Sequence, residues 1–211
     1  MIQSCWLALV LLLCSVATAQ VSYEDILKSP GKDWLTYAGS YNGWRHSPLK
    51  QITPENAGRL VPKWVYRVPK AVRLQTSPIV YDGVMYVTNT NAMYALDARN
   101  GRLIWSYADG RAEKSGPNRG PAILGDRVYF VTSDNYLTAL DRQSGAVIFS
   151  KEYASVEDGV TSTSAPLAVK DKIIVGSAGG DSGMRGFIAA LSAETGEEIW
   201  RVHTIPAKGE P

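Results

Sequence analysis

Cysteine is nearly missing from this 211-residue chain: there are two, Cys5 and Cys14, and both fall within the first nineteen residues. A chain that loses those residues has no thiol, which excludes disulfides and cysteine metal sites. Histidine is as scarce, with only His46 and His203, far apart, so nothing supports a zinc site. An excess of one charge is missing too. The 22 basic and 20 acidic residues are mixed along the chain, leaving no basic stripe to neutralise a phosphate backbone, and nucleic acid is not an expected partner. Beyond residue 19 no apolar run approaches the roughly 20 residues of a spanning helix. The expectation is a soluble protein, at most peripherally associated with a membrane.

The first nineteen residues carry no charge, run apolar from Trp6 to Val16 and end in Ala17-Thr18-Ala19, the small-x-small pattern of a signal-peptidase site. They are expected to be a signal peptide cleaved before Gln20. The lack of Lys or Arg ahead of the apolar run departs from the usual pattern, and an uncleaved anchor of marginal length is the alternative. Residue 13, before Cys14, is Leu where a lipidation site needs a small residue, so Cys14 reads as filler of the apolar segment.

From Val21 to about Pro69 the sequence is irregular, interrupted by Pro30, Pro48, Pro54, Pro62 and Pro69. A short helix is expected near Ser22 to Lys28, and another turn of helix at Thr53-Pro54-Glu55-Asn56, with Thr53 as N-cap and Pro54 first in the helix.

Then the chain repeats itself. Ser77-Pro78-Ile79-Val80-Tyr81-Asp82-Gly83-Val84-Met85-Tyr86-Val87 leads to Ala95-Leu96-Asp97, Gly101 and Trp105. Gly120-Pro121-Ala122-Ile123-Leu124-Gly125-Asp126-Arg127-Val128-Tyr129-Phe130 leads to Ala139-Leu140-Asp141, Gly145 and Phe149, with both Asp97 to Asp141 and Gly101 to Gly145 spaced by 44. Ala165-Pro166-Leu167-Ala168-Val169 opens a third copy ending in Gly196 and Trp200, stretched to a spacing of 51 by extra residues around Gly179 to Gly186. The copies cover about 77–107, 120–151 and 164–201.

Each copy holds short runs rich in Val, Ile and Tyr separated by turn pairs such as Asp82-Gly83 and Gly125-Asp126, as antiparallel hairpins require. Four strands per unit at this period predict an all-β chain of propeller blades. Propellers close with roughly 4 to 8 blades, so three blades over 20–211 are expected to be the N-terminal part of a longer propeller. In the segment ending each copy, Asp97 caps a turn, Gly101 takes positive φ and Trp105 returns to pack between blades. Trp105 and Trp200 are therefore expected in inter-blade core rather than stacked on a ligand.

The recurring Ala-x-Asp-x-x-x-Gly-x-x-x-Trp resembles the tryptophan-docking motif of the dehydrogenases that depend on pyrroloquinoline quinone (PQQ), the quinoprotein alcohol dehydrogenases. Asp33-Trp34-Leu35-Thr36-Tyr37, Arg45-His46-Ser47-Pro48-Leu49 and Ile52-Thr53-Pro54-Glu55-Asn56 resemble the mature N-terminus of that family, so the likeness covers essentially all of the chain after residue 19. Non-catalytic propellers of the outer-membrane assembly scaffold type carry similar repeats, and a protein-binding scaffold is the alternative reading.

The resemblance implies an eight-bladed propeller with PQQ on its axis and a Ca²⁺ bridging cofactor and protein. It implies that Arg119, in Asn118-Arg119-Gly120, donates to the anionic oxygens of PQQ. It likewise implies that Thr163 hydrogen-bonds a PQQ carboxylate. Ser177-Ala178-Gly179-Gly180-Asp181 matches the family segment in which small residues, here Ala178, Gly179 and Gly180, let backbone approach the cofactor while an acid binds the metal. Asp181 stands where Glu is usual; its shorter arm leaves room for a different hard ion such as a lanthanide. Gln75 replaces the PQQ-binding Glu of alcohol dehydrogenases and resembles the glucose dehydrogenase branch, so alcohols and sugars are both candidate substrates. The adjacent cysteines of the alcohol branch are absent from Ser106 to Pro117. The family's catalytic base belongs to later blades, so no residue is assigned as catalytic. The further implications are a periplasmic enzyme and cytochrome c or a membrane quinone as electron acceptor.

Two other chemistries are weak. Gly180-Asp181-Ser182-Gly183 matches the nucleophile tetrapeptide of trypsin-like proteases, but neither histidine has the context of that family. The glycines after Val175 do not form a Gly-x-Gly-x-x-Gly turn between strand and helix, which removes support for nicotinamide binding.

Overall fold

The computed structural model describes residues 20–28, 30–71, 73–111 and 116–209. The expected signal peptide lies outside the described residues. Among those described, no helix is long and apolar enough to cross a membrane.

Three four-stranded antiparallel meanders follow one another. The first blade is β1 (Ile79–Tyr81), β2 (Val84–Asn89), β3 (Ala92–Asp97) and β4 (Leu103–Ala108). The second is β5 (Ala122–Leu124), β6 (Arg127–Val131), β7 (Tyr136–Asp141) and β8 (Val147–Glu152). The third is β9 (Leu167–Val169), β10 (Lys172–Gly176), β11 (Phe187–Ser192) and β12 (Glu198–His203). Strand order within each sheet is the order in the chain. The same irregularity recurs in all three: the pairing of the third and fourth strands shifts between Ala95 and Leu96, Ala139 and Leu140, and Ala190 and Leu191. The first strands converge, with β5 against β9. The middle strand β3 is buried along its whole length and β7 along its four central residues, as strands covered on both faces are.

The joints between blades follow one design. A Cβ on Gly145, which has φ +74°, would lie 2.6 Å from the ring of Trp105, so only glycine lets the indole seat flat on that turn. The Trp105 indole N–H donates to the Arg142 carbonyl at 3.1 Å, and the Tyr86 hydroxyl donates to the same oxygen at 3.2 Å. At the next joint Phe149 seats on Gly196. The Phe149 ring has no N–H, and the equivalent carbonyl, that of Ala193, is served by the Tyr129 hydroxyl at 2.9 Å and Arg127 at 3.1 Å. Trp200 departs from the expectation of burial: it is 41% exposed, because no following blade covers it among the described residues, whereas Trp105 is 9% exposed.

The irregular N-terminal segment also has a place. Trp64 occupies the turn at Gly101 as Trp105 occupies that at Gly145, with its indole N–H donating to the Ala98 carbonyl at 3.1 Å. Helix α1 (Tyr23–Leu27) forms where expected, capped by Ser22 and Asp25. Its Lys28 and Ser22 partners hold the Asp25 carboxyl down at about 2. Helix α2 (Pro54–Ala57) starts at the predicted proline. Around these helices the segment ties all three blades together. Val21 pairs with Gly125, Trp34 with Val80 on the open edge of β1, and the Tyr41 hydroxyl donates to the Ala168 carbonyl of β9.

Candidate cofactor site

In each blade the first strand begins, and the second ends, at the same rim, since Ile79 pairs with Tyr86, Ala122 with Tyr129 and Leu167 with Ile174. The residues singled out from the sequence fall on this rim. Gln75, Arg119 and Thr163 lie in the three segments that enter β1, β5 and β9, and Ala178 to Asp181 follow the end of β10.

These entry segments bond to one another across the blades. The Ser77 N–H donates to the Arg119 carbonyl at 2.9 Å, and the Arg119 N–H to the Thr163 carbonyl at 3.2 Å. The Arg119 guanidinium reaches the same threonine, donating to its hydroxyl and, at 3.2 Å, to its carbonyl. The charge of Arg119 also lies near the Tyr37 phenol. Thr161, two residues before Thr163, forms an antiparallel bridge with Ala178, with hydrogen bonds of 2.9 and 2.8 Å. Arg119, Thr163 and Ala178 are thereby held as one unit.

Glycine at 179 is a requirement of this arrangement. Its φ of +120° is strained for any side chain, and a Cβ there would collide with the Gly159 carbonyl oxygen. Gly180, Asp181 and Ser182 form one turn of 3-10 helix, which accommodates the extra residues of the third copy. Asp181 is exposed on that turn and stands apart from other ligands: among the described residues no group of three or more His, Cys, Asp or Glu could enclose an ion. Gln75 is exposed as well and is linked to the unit through the backbone bond of Ser77.

Sequence reasoning missed two residues beside the site. The Arg45 guanidinium sits 4.8 Å from the centre of the Tyr37 ring, and both line a cavity of about 350 Å³ with Trp34, Ser77, Pro78 and Val80. Hydrogen bonding with Arg45, then with Ser77, and the nearby charge of Arg119 hold the Tyr37 phenol below the ordinary tyrosine range, against the opposing effect of burial. The aromatic and basic residues of the N-terminal segment were the available signal, but no repeat linked them to the blades.

The donor set suits an anionic, oxygen-bearing group. Arg119 and Thr163 offer charged and neutral donors, and Gly179 lets the chain that carries Ala178 pack closely against Gly159 and Met184.

A profile of the PQQ glucose/ethanol/alcohol dehydrogenase β-propeller domain matches residues 34–211. The quinohemoprotein alcohol dehydrogenase ADH-IIG of Pseudomonas putida is 39% identical over 193 residues, which cover 87% of this chain and 26% of that protein. The 1-butanol dehydrogenase (quinone) of Thauera butanivorans is 37% identical over 210 residues, covering 92% and 34%. Among solved structures, a europium-containing methanol dehydrogenase superposes with a TM-score of 0.79 at 31% identity, over 89% of this chain and 34% of that one. The chain thus spans about a quarter to a third of the length of the relatives it matches.

Proposed function

The chain belongs to the PQQ glucose/ethanol/alcohol dehydrogenase β-propeller family, and from that premise we propose that the complete protein is a periplasmic dehydrogenase oxidising the CH–OH group of an alcohol or sugar. The observation that carries this reading is the Arg119–Thr163 unit tied through Thr161 to Ala178. When bound, PQQ supplies the two-electron acceptor for the CH–OH group.

The residues of this chain bind and orient. Arg119 neutralises anionic oxygens of the cofactor, and its contact with Thr163 aims the threonine hydroxyl at a neighbouring carboxylate. Ala178, Gly179 and Gly180 bring backbone close to the ring system. Gln75 offers an amide, which adds no negative charge beside the cofactor's own carboxylates. Asp181 presents a hard carboxylate oxygen suited to Ca²⁺ or a larger lanthanide, with the remaining ligands coming from elsewhere in the complete protein. The base that takes the hydroxyl proton also lies elsewhere in this reading, so residues 20–211 alone are expected to be inactive. Electrons pass on to a cytochrome c or a membrane quinone.

Titration of the full-length protein with PQQ and Ca²⁺ or a lanthanide, following quinone absorbance and dye reduction with alcohols and sugars, tests the proposal. Metal-dependent binding with turnover is the expected result, and the preferred substrate names the class. No binding with any metal would leave a protein-binding scaffold as the better account.

A further inference from the structure

Two buried asparagines flank the site without facing it. Asn118 precedes Arg119 and is 5% exposed. Its Oδ1 accepts from the Thr88 hydroxyl at 2.7 Å and from the Gly120 N–H at 2.9 Å, while its Nδ2 donates to the Val131 carbonyl at 2.7 Å. One amide therefore grips the backbone beside Arg119, the end of β6 and the end of β2 in the preceding blade. Asn135, in the turn between β6 and β7, is fully buried with φ +64°, a conformation asparagine tolerates better than most side chains. Its Nδ2 donates to the Val160 carbonyl at 2.9 Å, and its Oδ1 accepts from the Ser162 hydroxyl at 2.7 Å. The Tyr153 hydroxyl completes the group by donating to Ser162. Asn135 thus grips the chain immediately before Thr163.

Blade formation does not demand Asn118, whereas the amide of Asn135 has a buried counterpart 44 residues earlier in Asn91, whose Oδ1 accepts from the Ser133 N–H of the next blade at 2.8 Å. Gln75 holds the position of Asn118 in the first blade, three residues before the strand-entry proline, and it is exposed. Buried amides are costly unless they are hydrogen-bonded, and here Asn118 is met by Gly120 beside Arg119 and by the ends of β2 and β6, and Asn135 by Val160 and Ser162 just before Thr163. We propose that Asn118 and Asn135 are positioning residues that hold the Arg119–Thr163 pair in its cofactor-binding geometry. This inference rests on the cofactor reading above. Because Arg119 and Thr163 contact each other, loosening either asparagine displaces both.

The test uses full-length apoprotein, with PQQ affinity and melting temperature measured for each variant. Asn135→Gly keeps the positive φ accessible and deletes only the amide; Ser162→Ala removes its partner and serves if the glycine variant fails to fold. Asn118→Asp keeps the acceptor for Thr88 and Gly120 and loses the donor to Val131. Trp105→Phe, at the opposite rim, is the comparator for simple destabilisation. The expected result is a PQQ dissociation constant raised on the order of 10-fold or more by Asn135→Gly and Ser162→Ala, and less by Asn118→Asp. Trp105→Phe lowers the melting temperature and leaves affinity unchanged. The inference is overturned if the asparagine and serine variants lower the melting temperature like Trp105→Phe while affinity stays at the parent value. If the parent protein and Arg119→Ala alike fail to bind PQQ, the cofactor reading fails and takes this one with it.

Discussion

The Arg142 carbonyl is the point at which the first joint can be dissected. It is buried and accepts two hydrogen bonds from the preceding blade, from the Tyr86 hydroxyl and the Trp105 indole. Removing one donor leaves the oxygen satisfied by the other, so Tyr86→Phe should cost about 1 kcal/mol, the net worth of an ordinary hydrogen bond. Trp105→Phe loses a similar bond and about 1 kcal/mol more for the smaller ring. That the ring itself fits is shown by Phe149 on Gly196. The double variant differs in kind. It strands a buried carbonyl, which adds roughly 1–3 kcal/mol beyond the sum of the singles. Urea unfolding of the full-length protein, with midpoints compared at constant slope, measures all three differences. A double variant costing no more than the sum would mean that water reaches the carbonyl, and the account of the joint would be wrong.

Phe149→Trp should bring no stabilisation despite restoring the repeat's consensus, because Tyr129 and Arg127 already occupy the Ala193 carbonyl; thermal unfolding checks this. Burial pushes the Tyr86 and Tyr129 phenols up to about 12. Their folded values lie above the ordinary 10, so their contribution is complete below pH 10 and is lost as pH rises through 12. Unfolding midpoints measured across that window should fall, and fall less in a Tyr86→Phe, Tyr129→Phe variant. Gly179→Ala forces a strained φ and a clash with the Gly159 carbonyl, costing about 1–3 kcal/mol. It should weaken PQQ binding by displacing Ala178 from Thr161, as quinone absorbance titration would show.

The blades were legible because their signals are local. Turn pairs, alternating Val, Ile and Tyr, and the Asp-to-Gly spacing each act within a few residues, and the three sheets begin and end close to the repeats read from them. The rim position of Arg119, Thr163 and the 178–181 segment followed from their places relative to those strands. Trp64 was missed because it lies in no strand and its partner turn is at Gly101, so neither alternation nor a hairpin marks it. The asparagine grips were hidden for a related reason. Asn91 and Asn135 keep the 44-residue spacing of the repeat, but nothing in the sequence marks them as buried, and what makes Asn118 different from the exposed Gln75 is its contacts across blades. Trp200 shows the limit from the other side: the motif states which surface the indole would pack on, and burial still requires that surface to be present.

Each joint has a knob on one blade and a hole on the next, so it is directional and cannot pair with itself. The hole over Gly101, on the first blade, is filled by Trp64 from the N-terminal segment of the same chain. The N-terminal segment therefore closes the first joint with the same kind of knob that one blade presents to the next.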